Sequence, residues 1–303
     1  MTRFTHNGEI TIAYEDLGGA GGDPLLLVMG LGTSRFWWPD GLVSELVDRG
    51  FHVAAYDQRD AGESTHLPDR RDGSPIGAMV HRGAPPYSAE DLTDDAVAAL
   101  DALGWERAHV FGHSMGGLVA QRTAIRHPGR VLSLTSSSAV PSDAGGLRVL
   151  RYVRLGCLPR LARLHHPDTP QGNLDLAVAV VRVLAAPGQH VDERDVREFV
   201  DKDAAHQATG LRDTKAQSRQ VGAKWHGGAL AEIAAPTLVL HGEGDPLIRP
   251  SAARAIVDAV PGARLRTLPG VGHFLTRDTW ATYAGEVRAL ADRAHEVDGA
   301  AHR

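Results

Sequence analysis

The chain has 303 residues, of which 43% are hydrophobic and 23% are charged, so it can bury a large core. Its formal net charge is −5 at pH 7. Nucleic-acid binding normally requires a basic excess, so the composition argues against a nucleic-acid partner and favours a small-molecule substrate.

The cysteine content and the apolar segments indicate the compartment. Cys157 is the single cysteine, so no internal disulfide can form and the fold needs no oxidising compartment. The first eight residues contain no apolar run of the signal-peptide kind. The most apolar stretch, residues 174–186, is interrupted by Asp175 and Arg182 and is too short to cross a bilayer. We therefore expect a cytoplasmic protein with no membrane partner, whose oligomeric state the sequence does not indicate.

The predicted elements begin with a hairpin and continue as alternating strands and helices. Residues 3–7 and 11–17 flank Asn7-Gly8, a dipeptide typical of a tight hairpin turn. Apolar runs typical of buried parallel strands lie at residues 25–29, 53–56, 110–111, 131–134, 237–240 and 263–268. Helical patterns lie between them at residues 38–49, 89–103, 115–127 and 251–260. The alternation predicts an α/β fold with a mostly parallel, doubly wound sheet.

Two segments interrupt this alternation. Residues 141–228 are helical in pattern and follow a loop signal that begins at Pro141. We predict that they form a helical cap inserted into an α/β core of residues 1–140 and 229–303. Residues 66–86 are rich in Gly, Pro and Arg, and they exceed the usual length of a connection, which is typical of a mobile or functional loop.

The first chemical motif is Gly112-His113-Ser114-Met115-Gly116, which follows a predicted strand and begins a predicted helix. In this context G-x-S-x-G is typical of a nucleophile on a sharp, strained turn. Side chains at the two outer positions would collide with the neighbouring strand and helix, so both are glycine. His113 adjoins the nucleophile, but we expect it to pack, because the base must come from another loop.

A serine hydroxyl needs a base to remove its proton, and the base needs an acid to orient it. His273 lies in a glycine-containing loop after the last predicted strand, and Asp245 follows the strand before it. The carboxyl ends of parallel strands meet at one edge of a sheet, so both side chains can converge on Ser114. We predict Ser114, His273 and Asp245 as the catalytic residues. Asp143 is the reserve acid, and Glu243 is a weaker candidate.

Further site residues follow from the same chemistry. The oxyanion requires two donors, for which we predict the backbone N–H groups of Leu31 and Met115. Phe36, Trp37 and Trp38 are candidates for lining the substrate pocket, with packing beneath the first helix as the alternative. The histidines of the cap region lack metal-ligand spacing, so we expect no metal and no cofactor.

Several segments together resemble the α/β-hydrolase superfamily. They are residues 25–30, 38–40, 56–64, 112–116, 236–246 and 270–273. The chain is similar in particular to the branch that contains the aclacinomycin methylesterases, through Val28-Met29-Gly30, Trp38-Pro39-Asp40 and the turn at residues 57–60. The resemblance implies a serine hydrolase that cleaves a carboxylic ester, with a methyl ester of a bulky aromatic or polyketide-like product as one candidate substrate. It also implies that residues 57–60 brace the turn that carries Ser114 by hydrogen bonds and ion pairs.

Other functions of the same fold stay open. They are lactonase, thioesterase and carbon–carbon bond hydrolase activities, and the role of a non-hydrolytic cyclase or a ligand-binding protein. In the cap, five arginines at residues 148–163 are expected on a solvated helix face. The apolar residues between 174 and 184 exceed what one helix stripe requires, so we expect some of them to roof a substrate pocket.

Overall fold

An eight-stranded sheet forms the centre of the computed structural model, which describes residues 1–68, 86–208 and 210–301. The strands, in spatial order, are β1 (Arg3–Asn7), β2 (Ile10–Gly18), β4 (Phe51–Tyr56), β3 (Asp23–Val28), β5 (Ala108–His113), β6 (Val131–Ser137), β7 (Thr237–Gly242) and β8 (Arg264–Leu268). β1 and β2 form the predicted antiparallel hairpin, and β2 is antiparallel to β4. All other pairs are parallel. The predicted mostly parallel sheet is thereby confirmed.

Helices cover both faces of the sheet. They are α1 (Asp40–Asp48), α2 (Ala89–Ala102), α3 (Met115–Arg126), α4 (Leu158–Ala162), α5 (Pro170–Leu184), α6 (Glu193–Ala205), α7 (Thr214–Gly222), α8 (Pro250–Ala259) and α9 (Trp280–Ala301). Leu25 and Leu27 of β3 pack with α1 and α9, whereas Leu26 and Val28 pack with α2, α3 and α8. Alternate residues of one strand thus belong to two cores, as a doubly wound sheet requires.

The structure extends β5 beyond the two residues predicted from apolarity. The added positions include His109 and His113, whose register partners on β6 are Ser133 and Ser137. His109 Nδ1 lies 2.8 Å from Ser133 Oγ, and His113 Nδ1 lies 3.2 Å from Ser137 Oγ. These cross-strand hydrogen bonds satisfy the buried imidazoles, so the strand continues through residues that apolar patterning excludes.

The helix α9 has no counterpart among the predicted elements. It packs beside α1 and buries Tyr283, Val287, Leu290 and Ala291 in the core on that side of the sheet. These residues recur at intervals of three and four, the spacing of one helix face. The helical periodicity of α9 was therefore present in the sequence.

The interval predicted as the cap lies between β6 and β7 and contains α4, α5, α6 and α7. On α5, one face buries Leu174 and Val178 in the core, and another turns Leu176 and Val180 toward a cavity. Leu147, just before the five arginines, is 72% exposed. The five arginines of residues 148–163 are exposed. The division into core and cap stays a prediction.

Two further expectations concern the loop at residues 66–86 and the membrane. Most of that loop, residues 69–85, lies outside the described residues. Within the described parts of the chain, every helix is too short or too polar to cross a bilayer.

Candidate active site

Ser114 occupies a strained turn between β5 and α3. Its φ is 55° and its ψ is −120°, values that non-glycine residues rarely adopt. Its N–H donates to the carbonyl oxygen of Ser137 at 2.8 Å. A Cβ at Gly112 would lie 2.2 Å from the carbonyl oxygen of Gly116, and one at Gly116 would lie 1.9 Å from that of Val28. Both glycines are therefore required by the close approach of helix and strands.

The structure brings Ser114, His273 and Asp245 into one hydrogen-bonded row. His273 Nε2 lies 2.9 Å from Ser114 Oγ, and His273 Nδ1 lies 2.7 Å from Asp245 Oδ2. The other carboxylate oxygen of Asp245 accepts hydrogen bonds from the N–H groups of Leu247 and Ile248, both at 2.8 Å. This is the geometry of a nucleophile, its base and an orienting acid.

Asp245 is fully buried, yet its environment favours the charged form. Burial alone would raise the pKa of Asp245, but the charge of His273 and its hydrogen bond outweigh burial and hold that pKa below its usual value. The carboxylate can therefore stay ionised and fix the proton of His273 on Nδ1.

The loops that carry His273 and Asp245 approach each other and the end of α5 closely. A Cβ at Gly242 would lie 2.3 Å from the carbonyl oxygen of Gly272, and one at Gly272 would lie 2.4 Å from the backbone nitrogen of Ala186. The N–H of His273 donates to the carbonyl oxygen of Leu184 at 2.8 Å. The segment after α5 therefore supports the histidine loop directly.

The remaining candidates near the row have other roles. The carboxylate beside His273 belongs to Asp245, whereas Asp143 lines the cavity and Glu243 is exposed. The centre of the His113 ring lies 5.3 Å from that of the His273 ring, with the planes tilted by 51°, and His113 Nδ1 lies 3.2 Å from Ser137 Oγ, in keeping with packing. Burial and the neighbouring charge of His273 lower the pKa of His113 to about 3, so it stays neutral.

The predicted oxyanion donors lie on either side of the nucleophile. Met115 is the first residue of α3, where backbone N–H groups lack partners within the helix. Leu31 follows Gly30, at which a Cβ would lie 3.3 Å from the Cβ of Ser114. Gln58 holds this loop by donating from Nε2 to the carbonyl oxygen of Met29 at 2.7 Å. Leu31 and Met115 both line the cavity with Ser114, and the role of their N–H groups as oxyanion donors stays a prediction.

A cavity of about 1260 Å³ opens above Ser114 and His273. Of the three aromatic candidates only Trp37 lines it, so the structure does not bring Phe36 and Trp38 to the pocket. Trp38 packs edge-on against Phe111 with ring centres 4.9 Å apart, and Phe36 lies beneath the guanidinium of Arg35. Three consecutive side chains leave the backbone in different directions, which explains why they separate.

Sequence reasoning missed Asp203, a buried residue of α6 that holds the cap region to the loop after β3. Its carboxyl accepts hydrogen bonds from the Ser34 hydroxyl and from the Trp37 indole N–H, the latter at 2.8 Å. Trp37 is thereby fixed at the cavity wall. An isolated aspartate in a polar helix carries no sequence signal of such a role.

The turn at residues 57–60 has a structural role, as the resemblance implied, but the contacts of Asp57 and Asp60 reach the loop after β3 and α7, and bracing of the Ser114 turn stays a prediction. Asp57 accepts hydrogen bonds from the backbone N–H of Arg35 at 2.6 Å and from its guanidinium. Asp60 pairs with Arg219 of α7 at 2.7 Å and accepts from the Tyr87 hydroxyl at 2.8 Å. The turn therefore ties together the loop after β3 and the last helix of the predicted cap.

One group of side chains has the proximity of metal ligands. Asp23, His109 and His295 place ligand atoms within 4.8 Å of one another. Asp23 and His109 lie at the amino ends of β3 and β5, away from Ser114, and His295 lies on α9. Arg288 donates to the Asp23 carboxylate at 2.7 Å, so a cation already pairs with the one acidic ligand.

Comparison with known proteins agrees with this architecture. A family model described as the alpha/beta hydrolase fold matches residues 23–276. The rhodomycin D methylesterase DauP of Streptomyces sp. strain C5 is 31% identical over 288 residues, covering 90% of this chain and 92% of the relative. The rhodomycin D methylesterase DnrP of Streptomyces peucetius is 30% identical with the same coverage. These matches confirm the resemblance to the methylesterase branch.

A solved structure shows the same fold over nearly the whole chain. The esterase RhEst1 of Rhodococcus sp. ECU1013 superposes with a TM-score of 0.69 at 20% identity, covering 96% of this chain and 98% of that one. The family match and the two methylesterase relatives each span most of the sequence. The chain therefore belongs to the alpha/beta hydrolase fold family.

Proposed function

We propose that this protein is a serine esterase that hydrolyses a carboxylic ester of a bulky, largely apolar compound, with a methyl ester as the favoured group. The observation that carries the proposal is the row Ser114–His273–Asp245 at the floor of a cavity of about 1260 Å³. Two relatives that match nine-tenths of the chain are rhodomycin D methylesterases, which supports the choice of a methyl ester.

The first half of the proposed mechanism forms an acyl-enzyme. His273 Nε2 removes the hydroxyl proton of Ser114 as Oγ attacks the ester carbonyl. Asp245 stabilises the imidazolium through Nδ1. The backbone N–H groups of Leu31 and Met115 hold the oxyanion of the tetrahedral intermediate. His273 then gives its proton to the departing alcohol, which for a methyl ester is methanol.

The second half releases the acid. Methanol is small and leaves the cavity, and water takes its place beside His273. The imidazole removes a proton from this water, which attacks the acyl carbonyl. The bond between the acyl carbon and Ser114 Oγ then breaks, and His273 returns the proton to Oγ, which releases the acid and restores Ser114. This chemistry needs no cofactor, and we place it in the cytoplasm with a small molecule as substrate.

The cavity supports a large acyl group and a small alcohol. Leu176 and Val180 form part of its wall from α5, and Leu118 and Val119 form part from α3. These apolar walls suit a bulky apolar acid. We extend the proposal to the cap: residues 141–228 select the substrate, and the loops of the core supply the reacting groups.

The test combines active-site labelling with product analysis. A fluorophosphonate probe should label the wild-type protein and leave Ser114→Ala unlabelled, because the probe requires an activated serine. Wild type should release methanol from methyl esters of polycyclic aromatic acids faster than from methyl acetate. Labelling without turnover of any ester would favour a ligand-binding or cyclase role. Faster cleavage of a thioester, a lactone or a carbon–carbon bond would reassign the reaction within the family.

A further inference from the structure

The cavity above Ser114 follows one face of α3 to a charged residue that the proposed mechanism does not use. Met115, Leu118, Val119 and Arg122 all line it. Their spacing of three, four and seven residues is that of one helix face. Arg122 lies eight positions beyond Ser114, which corresponds to about 12 Å along the helix at 1.5 Å per residue. This face of α3 therefore runs from the nucleophile to a guanidinium.

Arg122 is buried without an acidic partner. The residue is 9% exposed. Its Nη2 donates to the carbonyl oxygen of Ser142 at 3.2 Å, and its guanidinium carbon lies 5.5 Å from the centre of the Trp225 ring. Within the described ranges, its Nε has no hydrogen-bond acceptor and no carboxylate forms a salt bridge with it. Of its five donors, one has a hydrogen-bond acceptor among the described residues.

The buried charge of Arg122 is energetically costly while the cavity holds no anion, and a bound anion would offset that cost. Burial of a charge is costly unless an opposite charge or hydrogen bonds compensate it. Burial lowers the pKa of Arg122 to about 10, opposed by the more distant charge of Glu90, so the group is still protonated at neutral pH. A planar guanidinium matches carboxylate or phenolate oxygens, and such charge-assisted bonds are the strong ones.

We propose that Arg122 is a specificity-determining residue that binds an anionic oxygen at the far end of the acyl part of the substrate. The inference rests on the proposed ester hydrolysis and narrows its substrate class. The preferred substrate is an elongated, mostly apolar ester with a carboxylate or acidic phenolate about 12 Å from the scissile carbonyl. Leu118 contacts the apolar body between the two ends, and Trp225 holds the guanidinium in place.

The test uses two probes that differ only in charge at the far end. One is the monomethyl ester of a para-linked biphenyl dicarboxylic acid, and the other carries a carboxamide in place of the free carboxylate. Wild type should favour the carboxylate probe by about 10- to 100-fold in kcat/KM, the range of one hydrogen-bonded charge. Arg122→Gln should abolish this preference with little effect on the carboxamide probe. Arg122→Lys should retain part of it.

A matched control lies one turn further along the same helix. Arg126 is exposed and pairs with Asp94, so Arg126→Gln should leave the preference unchanged. If Arg122→Gln slows both probes equally, Arg122 only supports the loop that contains Ser142, and the inference fails. A wild-type protein that does not distinguish the two probes also overturns it.

Equilibrium binding separates this inference from the proposed function. Ser114→Ala should bind the carboxylate probe about 10- to 100-fold more tightly than the carboxamide probe, as measured by calorimetry. The double variant with Arg122→Gln should bind both alike. If this difference in binding holds while wild type hydrolyses neither probe, the proposed ester hydrolysis is refuted, and the role of Arg122 in anion binding stands. If hydrolysis proceeds without the binding difference, the function stands and the role of Arg122 fails.

Discussion

Asp203 should make the protein less stable as pH rises from acidic to neutral values. The residue is 8% exposed, and its carboxyl accepts hydrogen bonds from Ser34 and Trp37. Burial raises the pKa of Asp203 to about 6, and the charge of Asp57 acts in the same direction. The two hydrogen bonds and the charge of Arg35 oppose the rise. The folded protein therefore binds a proton at Asp203 more tightly than the unfolded chain does.

The size of the effect follows from this difference. The ordinary pKa of an aspartate is 3.8, and the folded value is about 6. Below pH 3.8 both states are protonated, and the favourable contribution of the protonated carboxyl is fully present. It is lost as pH rises through 6, because the folded state must then ionise a buried group. At 1.36 kcal/mol per pH unit the total is about 3 kcal/mol, of which about 2 kcal/mol falls between pH 4.5 and 7.5.

Asp203→Asn removes the titration and keeps the hydrogen bonds, since an amide can accept from Trp37 and donate to Ser34. Urea unfolding should be followed from pH 4.5 to 7.5 for wild type, Asp203→Asn and the control Asp201→Asn, an exposed residue of the same helix. The free energy of unfolding of Asp203→Asn, relative to wild type, should rise by about 2 kcal/mol across this range. The control should show no such trend. A constant difference at all pH values would refute the reasoning.

The remaining predictions concern activity. Ser114→Ala should fold normally and lower kcat by about 10⁴ or more, measured by methanol release, and near-wild-type turnover would contradict its assignment. Asp245→Asn should cost about 10⁴ in kcat by placing the proton of His273 on the wrong nitrogen, whereas Asp143→Asn should leave kcat almost unchanged. The reverse order would move the acid to Asp143. Leu176→Ala should alter the kcat/KM ratio between bulky and small methyl esters by about 10- to 200-fold, and an equal change for all esters would make that residue only structural.

The arrangement of the candidate site could largely be predicted from the sequence. Ser114, Asp245 and His273 each follow the end of a strand, and parallel topology brings those ends to one edge of the sheet. Sequence order therefore contained most of the spatial information. By contrast, Arg122 and Asp203 are single polar residues within helices. Their burial depends on packing between distant parts of the chain, which periodicity does not reveal.

The differences between the predicted and the observed fold have similar causes. His109 and His113 interrupt the apolar pattern of β5, and only pairing with serines on β6 makes them compatible with a buried strand. Phe36, Trp37 and Trp38 were candidates for the pocket as one aromatic cluster, but they lie in a short 3-10 helix and at its C-cap, where successive side chains point in different directions. Apolarity predicted the sheet well because it reports burial directly. It predicted poorly which of several adjacent aromatic side chains faces the cavity.

The hydrogen bond from the His273 N–H to the carbonyl oxygen of Leu184 has a consequence for chimaeras between family members. An exchange of α5 with its following segment would also replace the backbone against which the base rests. Only glycine fits at position 272, because the chain at Ala186 passes so close to it. Exchanges that end before Leu184 should transfer selectivity and spare turnover. Exchanges that run past Ala186 should lose turnover even when every reacting side chain is retained.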